Sequence, residues 1–84
     1  MKYCIITFRS VTPAQRGESV LRRAGFDCSI QRTPRWMEEQ GCGYSLRVKV
    51  KDATACVDLL RSNGVSFGKV YLPRENGKVE ELNV

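Results

Sequence analysis

The sequence contains no histidine. Nucleophilic schemes that pair a cysteine or serine with an imidazole base are therefore closed to it, as are metal centres built on imidazole. It has no Cys-x-x-Cys pair, which removes both the common dithiol redox motif and the zinc knuckle. Zinc would need all four thiols, Cys4, Cys28, Cys42 and Cys56, from spacings unlike any ligand knuckle. No metal and no cofactor is expected. Long apolar runs are missing too: Tyr3-Cys4-Ile5-Ile6-Thr7-Phe8 stops at Arg9, too short for a signal-peptide core or a membrane span. The expectation is a cytoplasmic protein with reduced cysteines and no membrane attachment. Blocks of like charge are also absent. A net charge of +5, scattered among nine acidic residues, favours an acidic partner only modestly.

The 84 residues suffice for one hydrophobic core and not two. Tyr3 to Phe8 is almost continuously apolar, as a strand buried on both faces should be. Thr12-Pro13 reads as the start of a helix, with Thr12 at the N-cap and Gln15 as its capping-box partner. Ala14, Gly17, Leu21 and Ala24 form its inner stripe, and Gly25-Phe26 its exit. Asp27 to Thr33 alternates like an edge strand. Tyr44 to Val50 alternates more cleanly, with Tyr44, Leu46, Val48 and Val50 inward and Ser45, Arg47 and Lys49 outward. Asp52 reads as the cap of a second helix carrying Ala53, Cys56, Val57 and Leu60, which leaves through Asn63-Gly64-Val65. Ser66 to Leu72 reads as a fourth strand.

The order strand, helix, strand, strand, helix, strand predicts an α+β, ferredoxin-like split βαβ domain over residues 1–72: a four-stranded antiparallel sheet with both helices on one face. Residues 73–84 read as a charged tail, in which Asn76-Gly77 would turn Lys78 to Leu82 back as an extra short strand.

Between the second and third strands runs Thr33-Pro34-Arg35-Trp36-Met37-Glu38-Glu39-Gln40-Gly41-Cys42-Gly43, with neither helical nor strand period. Connectors of this length in a small domain are often functional. Cys42 stands between Gly41 and Gly43, so neither neighbour has a side chain to shield the sulfur. Cys4, Cys28 and Cys56 fall on apolar faces and read as core. With no base and no resolving thiol nearby, the chemistry open to Cys42 is carriage: accepting a sulfur or selenium atom and passing it on.

Tyr3-Cys-Ile-Ile-Thr-Phe-Arg-Ser, the helix end Arg23-Ala24-Gly25, Thr33-Pro34-Arg35 and Cys42-Gly43 resemble a small bacterial family of selenium/sulfur carrier-like proteins, over roughly residues 2 to 72. The family's domain occurs alone or behind a sulfur-relay domain in a selenium-metabolism protein. The resemblance implies that Cys42 is the carrier thiol, that Thr33, Pro34 and Arg35 shape its loop, and that Gly41 and Gly43 flank it. A carrier of this kind takes its cargo from a desulfurase-type donor and hands it to an acceptor protein, and Arg35 and Arg32 lie close enough in sequence to stabilise the thiolate, with Arg35 the favoured partner. This chain departs from the family in placing Glu38-Glu39-Gln40-Gly41 where small hydroxyl residues usually precede the cysteine. Carboxylates beside a sulfur would raise its pKa.

Two other readings belong to different classes. One is a non-catalytic binding, regulatory or dimerisation module that uses the open sheet face, as small domains of this topology do. The other is RNA binding, for which Arg47 and Lys49 are suitable but Leu46 stands where a stacking aromatic is needed, so nucleic acid is disfavoured.

Overall fold

Tyr3–Phe8 forms β1, and the computed structural model, which describes residues 3–33, 43–74 and 79–82, sets it in the middle of a sheet. The sheet has five strands in the order β2-β3-β1-β4-β5, every neighbouring pair antiparallel. The others are β2 (Cys28–Arg32), β3 (Tyr44–Lys49), β4 (Val70–Pro73) and β5 (Val79–Leu82). The position of β1 accounts for its composition: Cys4 to Phe8 are all buried, Cys4, Ile6 and Phe8 among the helices and Ile5 on the other face, opposite Arg47 and Tyr71.

Two helices, α1 (Val11–Arg23) and α2 (Ala53–Ser62), cover the first of those faces. Ala14 and Leu21 of α1 and Cys56, Val57 and Leu60 of α2 share one buried cluster with Phe8, Leu46 and Val70 of the sheet. Gly17 marks the closest approach. A Cβ there would lie 3.2 Å from Phe8 Cζ, Leu46 Cδ1 and Leu60 Cδ2, so the bare backbone is what lets α1 settle against both the sheet and α2.

The helix exits are built alike. Gly25 and Gly64 take positive φ (90° and 68°). The Gly25 N–H then donates to the Arg22 carbonyl and the Phe26 N–H to that of Leu21. Gly64 and Val65 repeat the pattern on Arg61 and Leu60. Both are Schellman closures, with the apolar residue after the glycine tucked against the last turn.

Five expectations need correction. The sheet has five strands rather than four, because the extra short strand read in the tail forms as β5 and pairs with β4 from Val70↔Leu82 to Pro73↔Val79. The first helix begins at Val11 after Ser10, not after Thr12, and neither Ser10 nor Asp52 makes a side-chain cap bond. A single 3-10 turn, Val50–Asp52, leads into α2 instead. The fourth strand begins at Val70, not Ser66. The Thr7 hydroxyl accepts from the Lys69 N–H (2.8 Å) and donates to the Lys69 carbonyl (3.2 Å), which interrupts the ladder just before Val70. Finally, Ser45, expected to point outward, is fully buried, flanked by Thr7 and Gln31 on the neighbouring strands.

No helix among the described residues is long and apolar enough to cross a membrane.

Candidate functional site

The connector between β2 and β3 is closed at its base. The ladder of the two strands ends at Arg32↔Tyr44, and one further hydrogen bond, from the Thr33 N–H to the Gly43 carbonyl (3.0 Å), holds the two ends of the connector side by side. On the strand surface beneath, the Arg32 guanidinium lies over the Tyr44 ring, 5.6 Å from its centroid. Among the described residues, a Cβ at Gly43 would meet no neighbour within 4 Å. Of the residues read as the site, Thr33 and Gly43 are thus brought together. Pro34, Arg35, Gly41 and Cys42 itself lie outside the described residues, as do Trp36 and Met37.

The other three thiols are described, and none is equipped for nucleophilic work. Cys4 and Cys56 are completely buried. Burial pushes the Cys4 thiol above its ordinary range and drives Cys56 up to about 12, with Asp52 adding to the effect. Cys28 is half-buried, and its Sγ lies 3.8 Å from the Glu18 carbonyl. Its pKa is also raised, first by burial and then by the Glu18 carboxylate, against a smaller opposite effect from Arg22. All three are free thiols, and among the described residues no group of three or more Cys, Asp or Glu side chains is placed to hold a metal ion.

The sequence reading missed a pair of hydroxyls at the connector's foot. Thr33 Oγ1 and Ser45 Oγ are buried with no hydrogen-bond partner among the described residues, Thr33 retaining 6% exposure and Ser45 none. Thr33 sits opposite Gly43 and Ser45 two residues further along the same strand, so the two are diagonal neighbours on one face. Nothing in the sequence distinguishes Ser45 from an ordinary solvated strand residue, since its burial follows from the register. A buried unpaired hydroxyl costs about 1–3 kcal/mol. Thr33→Val, which keeps the shape and the β-preference, is therefore expected to raise stability by about 1 kcal/mol. A lower urea midpoint in the variant would show instead that the hydroxyl is bonded in solution.

A family profile described as "Putative Se/S carrier protein-like" matches residues 3–72 of the chain. The chain belongs to this family. The matched segment starts with β1 and runs to Leu72 in β4, so it takes in the whole connector, and β5 lies beyond it. No curated protein and no solved structure matches the chain.

Proposed function

We propose that this member of the Se/S carrier-like family carries a sulfur or selenium atom on Cys42 as a persulfide or selenosulfide and passes it to an acceptor protein. The observation behind the choice of residue is the state of the other thiols: two are sealed in the core, the third is half-buried, and all three are held protonated at neutral pH. Cys42, between two glycines in the sequence, is the thiol that remains. Membership of the family supports the chemistry.

In the loading step the Cys42 thiolate attacks the outer sulfur of a persulfide on a desulfurase-type donor. The donor's S–S bond breaks, its cysteine leaves as the thiolate, and a new S–S bond forms on Cys42. The proton of the outer sulfur passes to the more basic departing thiolate, and no outside oxidant is needed because a sulfane sulfur moves between two equivalent sites. Delivery to the acceptor reverses the geometry. Arg35 stabilises the thiolate, and Thr33, Pro34, Gly41 and Gly43 form its loop. A bacterial cytoplasm, kept reducing, suits a chain whose described cysteines are all free. We also infer a ferredoxin-like split βαβ architecture with an appended strand, supported by the antiparallel order β2-β3-β1-β4.

Incubation with a cysteine desulfurase and cysteine is expected to add about 32 Da, the mass of one sulfur, and the addition should be removable by reductant. Cys42→Ser is expected to lose it. An adduct equally abundant in that variant would refute the proposal.

A further inference from the structure

At the end of the sheet remote from Thr33 and Gly43, where Tyr3 pairs with Lys49, a cavity of about 260 Å³ opens beside β2. It lies about 17 Å along β3 from Tyr44, taking five residue steps at the usual strand rise. The last turn of α1 contributes Arg22 to its wall, and β3 contributes Arg47 and Lys49. Asp27 is the one carboxylate in the lining, against three cations, and Glu18 stands beside Arg22 just outside it.

What separates this cavity from an ordinary solvated strand face is that each cation is held in place. The Arg47 guanidinium stacks on the Tyr3 ring, 4.7 Å from its centroid, and forms no ion pair among the described residues. Stacking uses the flat face of a guanidinium and leaves its N–H edge for an acceptor. Asp27 holds the Lys49 ammonium at 3.1 Å and keeps it firmly protonated. Arg22 donates to the Cys28 carbonyl at 3.1 Å, with Glu18 3.6 Å away on the same helix. Side chains already fixed lose little further freedom when a ligand arrives.

We propose that this cavity is a binding site for a small phosphorylated ligand, its phosphoryl group bridged by Arg47, Lys49 and Arg22, with the Ser29 hydroxyl as a neutral donor at the rim. A wall with three cations and one lining carboxylate favours an anion, and a guanidinium edge fits two phosphate oxygens at once. The volume of about 260 Å³, at the small end for ligand sites, holds a phosphoryl group and part of the molecule that bears it. The site is separate from the connector and does not rest on the carrier reading.

The test is an NMR titration of the ¹⁵N-labelled full chain with inorganic phosphate and with adenosine monophosphate, against potassium chloride at matched ionic strength. The amides of Tyr3, Ser29 and Arg47 are expected to shift saturably, with a Kd of about 1 mM or below for at least one phosphate probe. Arg47→Gln and Arg22→Gln, both at exposed positions, should each weaken binding about tenfold while leaving the far-UV spectrum unchanged. Equal affinity for the two probes would mean that the phosphoryl group alone is read, and tighter binding of the nucleotide that the rest of the molecule is also gripped. Shifts that grow linearly and are reproduced by chloride would overturn the proposal, as would wild-type affinity in Arg47→Gln. So would an oligouridylate that moves the same amides at concentrations ten times lower, which would assign the surface to nucleic acid instead.

Discussion

A brief pulse of iodoacetamide at pH 8 is expected to mark one of the four cysteines of the native protein and, in Cys42→Ser, none. Alkylation proceeds through the thiolate, so each site's rate follows its pKa and its access. A cysteine near the ordinary value of about 8.5 is roughly one-quarter thiolate at pH 8. Cys56, at about 12, is thiolate about once in ten thousand molecules. Because Cys56 and Cys4 are also wholly enclosed, their labelling has to wait for the fold to open. Cys28, with a raised pKa and its sulfur against the Glu18 carbonyl, should fall between these extremes. Raising the pH to 10 should speed Cys28 while leaving Cys4 and Cys56 dependent on opening, and in guanidinium chloride all four should react alike. A native protein that takes up no label in the pulse would remove the chemical basis of the carrier proposal. Rapid labelling of Cys56 would contradict the packing of α2.

Phe8→Ala is expected to cost about 3–5 kcal/mol, the usual range for emptying a fully buried aromatic site. Among the described residues Phe8 is the largest of the completely buried side chains, and it stands where β1, α1 and α2 converge on Gly17. A domain of this length has about 4–13 kcal/mol in total, so the variant should lose a large share of its stability, and its urea midpoint should fall by roughly half. Val11→Ala is the control. Val11 is the one large hydrophobic side chain on the surface among the described residues, 36% exposed at the first position of α1, and its truncation should stay within about 0.5 kcal/mol. If Phe8→Ala cost less than about 1 kcal/mol, Phe8 would not be the keystone of the cluster.

What could be read from the sequence was what depends on neighbours along the chain. Gly25-Phe26 and Gly64-Val65 announce helix exits because the left-handed residue and the apolar residue after it act within a single turn, and both closures occur as the residues suggest. The unbroken apolar character of Tyr3 to Phe8 marks a central strand because burial on both faces leaves no place for a polar residue other than Thr7, whose hydroxyl is taken up by Lys69. Thr12-Pro13 carries a strong local signal for the start of α1, yet the helix begins two residues earlier, at Val11, without a side-chain cap. The buried hydroxyls of Thr33 and Ser45, and the stacking of Arg47 on Tyr3, depend on which residue of one strand faces which residue of the next. That register is settled by the whole sheet, and no short window contains it. Of the site, the glycine-flanked Cys42 was legible as composition, and Thr33 and Gly43 are the members whose placement is described.

The missing side chain at position 17 limits how this chain can diverge. A methyl group there would come within 3.2 Å of Phe8, Leu46 and Leu60 together, so a descendant that acquires it depends on all three side chains giving way by a few tenths of an ångström. Changes at these four positions are therefore coupled, however freely the surface around them drifts.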